Sequence, residues 1–274
     1  MTENKQIDVQ PADAELSAAG KFFCKLPAIT AGYWVIKICA TTLGETGADH
    51  LSMTLNLGYA LSSLIFIAFF LITLGFQLTS RKYNPLVYWL VFTATSVAGT
   101  TMSDFMDRTM EIGYMGGSII MVSLLAVTLT IWYVCERSLS VTSIKTRRGE
   151  IFYWVAFLFA NTLGTALGDF LADDSGLGFA GGAIMISSLL VVTLALHYLT
   201  RISSIALFWI AFVLTRPFGA TFGDLLTKTN AQGGLGLGTQ GTSLVLIVLL
   251  AIFITRSWIL LNRECGEGGI PDAE

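Results

Sequence analysis

Residues 153–169 read YWVAFLFANTLGTALGD, and the same phrase recurs as YWVIKICATTLGETGAD at 33–49, YWLVFTATSVAGTTMSD at 88–104 and FWIAFVLTRPFGATFGD at 208–224. Each copy opens on an aromatic residue followed by Trp34, Trp89, Trp154 or Trp209. Eleven residues after the first aromatic stands Gly44, Gly99, Gly164 or Gly219, and sixteen after it Asp49, Asp104, Asp169 or Asp224. Each copy leads into a second apolar run that opens near LGY, IGY, LGF or LGL. Self-similarity at a fixed period marks a repeat architecture, in which one unit cannot bury its own apolar face. The copies start 55, 65 and 55 residues apart, so a constant 120-residue shift relates the first pair to the second. That is the duplication of an already duplicated unit.

Of the 274 residues, 54% are hydrophobic and 13% charged, against about 25% charged in soluble domains. A bilayer core about 30 Å thick needs about 20 apolar residues per helix. Eight runs fit, at 28–48, 55–79, 86–106, 113–135, 151–171, 178–200, 203–225 and 240–261. The expected fold is an all-α polytopic membrane protein of eight spans. Its segments are a polar tail 1–25, a first repeat pair 26–137, a linker 138–150, a second repeat pair 151–262 and a tail 263–274. The first tail has no apolar core and no small-residue cleavage site, so it does not read as a secretory signal.

Lys21, Lys25, Arg81, Lys82, Arg137, Lys145, Arg147, Arg148, Arg201, Arg256 and Arg263 all fall at one end of the eight-span arrangement. Basic loops stay inside, so both termini are expected in the cytoplasm. The opposite loops hold only Arg108 and Lys228 as basic residues, among many acids. Every repeat enters the membrane from the same side, which relates the four by an axis along the membrane normal. The expected assembly is a ring or a two-plus-two bundle. Cys24, Cys39, Cys135 and Cys265 lack metal-ligand spacing and read as packing residues.

With these repeats in view, the chain resembles a bacterial integral membrane-protein family of unknown function. That family has four tandem repeats, each with two transmembrane segments and a characteristic tryptophan. Trp34, Trp89, Trp154 and Trp209 carry the likeness over residues 28 to 262. The resemblance implies the architecture and an inner-membrane location, and it supplies no catalytic residue.

Residues four apart share a helix face. Stepping back by four from the aspartates gives Asp49, Glu45, Thr41 and Lys37; Asp104, Thr100 and Ser96; Asp169, Thr165 and Asn161; and Asp224, Ala220 and Arg216. The next step in the last three copies reaches Phe92, Phe157 and Phe212. This reads as an axial polar path above an aromatic constriction, with Lys37, Thr41, Glu45, Ser96, Thr100, Asn161, Thr165 and Arg216 along it. Serine, threonine and asparagine also bond neighbouring helices in lipid without further purpose, at about 0.6–2 kcal/mol each. Lys37, Glu45 and Arg216 carry charge at bilayer depth, where charge is costly and is found paired or on a substrate path.

If ring closure makes the first and fourth repeats neighbours, Glu45 and Arg216 pair. The four aspartates could converge to hold a divalent metal ion such as Mg, Ca or Mn, or could cap the helices that follow them. Gly44 with Ala48, and its three counterparts, are small-xxx-small pairs that let helices pack closely. Pro217 predicts a kink, and His50 stands beside Asp49 at the acidic mouth.

The expected activity is secondary transport of a small solute, a divalent cation or a proton-coupled substrate. The alternative is a membrane scaffold or partner subunit. The expected partners are the lipid bilayer and a small cation or proton, with self-association as a further possibility. No resident cofactor is required beyond such a metal ion. A net charge of -3 without basic clusters gives nucleic acid no footprint. No HExxH, GxSxG, Cys-His pair or phosphate-binding loop supports an enzyme or direct ATP coupling.

Overall fold

The computed structural model describes residues 27, 29–80, 83–141, 144 and 146–267, with side chains to 260. The tail 1–25 and residues 268–274, with Arg81, Lys82 and Lys145, lie outside the described residues. Eight long helices follow in order: α1 Ala31–Asp49, α2 Tyr59–Thr79, α3 Pro85–Asp104, α4 Gly113–Glu136, α5 Arg147–Asp169, α6 Gly178–Leu199, α7 Ser204–Thr227 and α8 Thr239–Glu267. No strand occurs among the described residues. The expected runs match these helices to within a few residues. The exceptions are α5, which begins inside the expected linker, and α8, which continues to Glu267 into the expected tail.

Polar residues start the odd helices. The Thr30 hydroxyl accepts from the Tyr33 amide at 3.3 Å, and Asn84 Oδ1 accepts from the Leu86 and Val87 amides just before Pro85 at N1. The Thr146 hydroxyl accepts from the Gly149 amide at 2.9 Å. Such caps satisfy amides that have no intrahelical partner. At the other end, α1, α3 and α5 widen into π-helical turns over His50–Thr54, Phe105–Thr109 and Phe170–Asp174.

The helices form two concentric layers. The odd helices make a closed inner ring in which α1 packs on α3, α3 on α5, α5 on α7 and α7 back on α1. Each even helix packs chiefly on the odd helix of the next repeat: α2 on α3, α4 on α5, α6 on α7, and α8 returns to α1. Each repeat thus lends its second helix to its neighbour, and the chain's last helix closes the circle.

The hand-over is made by the turn before each even helix. There, Asn56 and Gly58, Glu111 and Gly113, Gly176 and Gly178, and Gly236 and Gly238 all have positive φ. Two left-handed residues two apart swing the chain sideways, and glycine takes that conformation without a Cβ clash. The fourth counterpart is therefore Leu237-Gly238, two residues beyond the LGL read from the sequence. In that repeat five additional residues stand between Asp224 and Gly238, and a 3₁₀ turn at Asn230–Gln232 replaces the π turn.

Six helices, α2 and α4 to α8, are long and apolar enough to cross a membrane. The other two, α1 and α3, are inner-ring helices. The first carries Lys37 and Glu45, the second a run of threonines and serines, and their neighbours cover those groups. The outer helices turn large apolar side chains outward, with Leu64, Phe76, Ile184 and Leu199 66–82% exposed. Helix α7 continues through Pro217. Cys39 is half-buried, but Cys135 is exposed and does not pack in the core as the sequence reading expected.

Candidate functional site: an axial stack of five layers

Because the inner helices are repeat-related, residues four apart on them stack as layers of four across the ring axis. The first layer is an aromatic girdle passed from helix to helix. Tyr33 meets Trp89 at 5.5 Å between ring centroids, Tyr88 meets Trp154 at 5.4 Å and Phe208 meets Trp34 at 5.9 Å. At the fourth junction Trp132 of α4 sits between Tyr153 and Trp209. The Tyr88 and Tyr153 hydroxyls share a 2.7 Å hydrogen bond.

The second layer holds Phe92, Phe157 and Phe212 in edge-to-face contact, and Lys37 takes the fourth place. Its ammonium lies 3.9 Å from the Phe212 ring centroid and 5.5 Å from that of Phe92. It donates to the Phe212 carbonyl at 3.0 Å and to the Thr215 hydroxyl.

Arg216 joins the third and fourth layers on the axis. Its Nη1 donates to the Thr41 carbonyl at 3.2 Å. Its Nη2 pairs with Glu45 Oε2 at 3.2 Å and donates to the Thr165 hydroxyl at 2.8 Å, to the Ser96 carbonyl at 3.5 Å and to the Thr100 hydroxyl. Thr100 in turn donates to Glu45 Oε2 at 3.3 Å. One guanidinium on α7 thus reaches α1, α3 and α5 together. The Glu45–Arg216 pair expected from ring closure is present, and both residues are buried. The stepping by four set Lys37 opposite the aromatics that include Phe212, but nothing in the sequence singled out Thr215, which lies 178 positions away.

The glycines explain how the helices come so close. A Cβ on Gly44 would collide with Ser96, one on Gly99 would stand 2.8 Å from Asn161 Cβ, one on Gly164 would strike the Arg216 stem and one on Gly219 would stand 2.6 Å from the Thr41 hydroxyl. At every junction the glycine of one repeat receives the third-layer polar residue of the next. Many buried threonines return their hydroxyls to carbonyls of their own helix, as Thr95 to Val91 and Thr162 to Leu158, which is packing chemistry.

The fifth layer gathers Asp49, Asp104, Asp169 and Asp224, all nearly inaccessible. Asp49, Asp104 and Asp169 do not cap the helices that follow them, since the N-caps of α2, α4 and α6 are Gly58, Ile112 and Leu177. They meet two basic residues instead. Arg108 bridges Asp104 at 3.2 Å and Asp169 at 3.5 Å, while Lys228 bridges Asp49 at 2.7 Å and Asp224 at 3.2 Å. These are the two basic residues of the acidic end, each four positions after a ring aspartate, and that spacing was the available signal for them.

Burial pulls the Lys228 ammonium down, but Asp224 and Asp49 overcome this and hold it above the ordinary lysine value. Burial opposes the Arg108 charge likewise, and Asp104 and Asp169 outweigh it. The four acids thus carry internal counter-ions in two pairs. Three carboxylates, from Glu45, Asp49 and Asp224, still converge with ligand atoms within 4.8 Å of one another. His50 bonds the Thr239 hydroxyl at 3.3 Å.

The sequence matches the family described as "Repeat of Unknown Function (DUF347)" four times, at 32–83, 87–138, 152–203 and 207–260. The chain belongs to that family. Each matched unit begins beside the aromatic–Trp pair; the first three end just past the following even helix and the fourth ends within α8, so one family repeat is one inner helix plus the outer helix it lends to its neighbour. Searches of curated proteins and of solved structures find no match.

Proposed function

We propose that this repeat protein spans a bacterial inner membrane eight times, with both termini in the cytoplasm, and acts as a secondary transporter that couples a small polar solute to protons along the ring axis. The observation that carries this reading is Arg216, a cation wholly inside the helix bundle that binds groups on all three other inner helices. Charge placed at bilayer depth and shared by repeat-related helices is the arrangement by which parallel-repeat transporters hold substrate near the midplane. The aromatic layers would close the axis toward the basic end, and the aspartate layer, tied by Arg108 and Lys228, would close it toward the acidic end. Alternating access then requires one closure to open at a time. Glu45 is the natural proton carrier, since protonation would release Arg216 and let the four inner helices part.

Eight spans are consistent with α1 and α3 being too polar alone, because the other inner helices shield them from lipid. Arg137, Arg147, Arg148, Arg201 and Arg256 lie at one end and the aspartates at the other, which supports the cytoplasmic orientation. Transport of a divalent cation is the second reading, favoured by the convergence of Glu45, Asp49 and Asp224. It would require the ion to displace Lys228 from Asp49. The near-complete burial of all five layers also suits a rigid scaffold that moves nothing.

Proteoliposomes loaded with a pH-reporting dye separate these readings. An imposed solute gradient should drive proton movement in the parent and not in Glu45→Gln. Manganese flux without proton movement would favour the cation reading, and no flux of any kind would favour the scaffold.

A further inference from the structure

Hydrogen bonds and ion pairs do not hold the four junctions of the inner ring alike. At the α7–α1 junction, Lys37 donates to the Phe212 carbonyl and the Thr215 hydroxyl, Arg216 pairs with Glu45, and Lys228 ties Asp224 to Asp49. At the α3–α5 junction, the Tyr88 and Tyr153 hydroxyls share their bond and Arg108 ties Asp104 to Asp169. These two junctions are fastened at both ends of the ring. Among the described residues no ion pair crosses the α1–α3 or the α5–α7 junction. The polar ties there are made at mid-depth by the Arg216 head and Thr100, with one further bond at the basic end from Trp209 Nε1 to the Leu139 carbonyl at 3.2 Å. Ring contacts and glycine contacts span all four junctions, so only the polar pattern sorts them.

The path of the chain divides at the same two junctions. Because α2 packs on α3 and α4 on α5, the unbroken stretch Tyr59 to Asp169 forms one body, and α1 with α6, α7 and α8 forms the other. The links at the basic end join α2 to α3, α4 to α5 and α6 to α7, each within a body. The chain passes between bodies only at 50–58 and 170–177, both at the acidic end. Each of these turns is held to one side. His50 and Thr54 bond Thr239 at the start of α8, and Asp173 accepts from Tyr114 of α4 at 3.0 Å. Beyond those anchors stand the left-handed pairs Asn56 with Gly58 and Gly176 with Gly178. A few such residues can absorb the dihedral change of a hinge.

We propose that the ring opens as two bodies, α2–α5 against α1 with α6–α8, which part at the basic end along the α1–α3 and α5–α7 junctions and hinge at the two crossing turns. The Arg216 head, reaching Thr100 and Thr165 on the opposite body, is the latch that keeps them shut. This division cuts across the duplication, because the 120-residue shift would make halves of α1–α4 and α5–α8. Two covalent connections at the acidic end and none at the basic end fix which end opens. The inference rests on the transport reading only for what passes through the opening.

The test uses the full chain in proteoliposomes, with Cys24, Cys39, Cys135 and Cys265 replaced by serine. Pairs of spin labels are placed through Ala31→Cys, Leu86→Cys, Arg148→Cys and Ser204→Cys, one exposed position at the basic end of each inner helix. Distances are read by double electron–electron resonance. The pairs 31–86 and 148–204 should show a second, longer population, while 31–204 and 86–148 keep a single distance. Thr100→Val and Thr165→Val should each raise the longer population about threefold or more, the factor that one interhelical hydrogen bond of average strength gives. A longer population in 31–204 or 86–148 overturns the division, and single distances for every pair in the parent and both variants overturn the opening. A bifunctional thiol cross-linker joining 31 to 86 separates this inference from transport. Proton-coupled flux that survives the cross-link removes the two-body opening and leaves transport. Two-body distances without flux of any kind leave the opening and remove transport.

Discussion

Replacing Arg216 by methionine should be the most damaging single change in the inner ring. The Arg216 head donates to groups on α1, α3 and α5, and its loss strands the Glu45 carboxylate, which is 3% exposed. Interhelical hydrogen bonds within membranes contribute only about 0.6–2 kcal/mol each. Stranding a buried charge costs about 3–5 kcal/mol. Arg216 donates to four acceptors besides Glu45, so a pure donor role would cost an amount that overlaps this value, and only the cycle with Glu45 separates the two. If the ion pair is the governing contact, the loss should approach 3–5 kcal/mol. Glu45→Met strands the guanidinium and should be similarly severe, whereas the double variant, with neither charge left alone, should lose much less than the sum. The coupling expected from the cycle is about 1.5–3 kcal/mol. Reversible unfolding in mixed detergent micelles, followed by tryptophan fluorescence of the aromatic girdle, gives all four free energies. Additive single losses within about 0.5 kcal/mol would refute the reasoning.

Gly99→Ala should destabilise by about 1–3 kcal/mol through overpacking against Asn161, whereas Gly75→Ala, which meets open space, should be neutral or slightly stabilising in the same assay. Tyr88→Phe should cost about 0.5–1.5 kcal/mol for its hydrogen bond to Tyr153, read as a lower unfolding midpoint. Because Asp224 and Asp49 raise the Lys228 value on folding, its contribution is complete below the ordinary lysine value of about 10.4 and is lost only as pH rises through the folded one. The stability lost in Lys228→Met should thus be constant from pH 7 to about pH 9, and a difference that fades within this window would contradict the pairing. Reporter fusions at Arg147 should report cytoplasm and at Asp174 the outside; the reverse would overturn the orientation.

Fourfold repetition, the helix boundaries and the polar stripe were legible in the sequence because each is a local, periodic property. An aromatic–Trp pair, a glycine and an aspartate at fixed spacing need no knowledge of neighbours, and stepping by four along one helix names the groups that share its face. Given closure of the ring, the same stepping put Glu45 and Arg216 at adjoining depths, and they meet.

What partners those faces have was decided by tertiary structure. The exchange of even helices between repeats depends on paired left-handed residues such as Glu111 and Gly113, where a glutamate carries no left-handed preference to read. The aspartates read equally well as caps or as a shared site, and only the fold showed Arg108 and Lys228 standing between them, because one basic side chain spans two helices from distant parts of the chain. Lys37 read in sequence as a bilayer-depth charge, either paired or on a substrate path, beside the aromatics. In the closed ring it faces phenylalanine rings, a carbonyl and a hydroxyl from α7, because helix packing and not sequence distance sets which charges can meet.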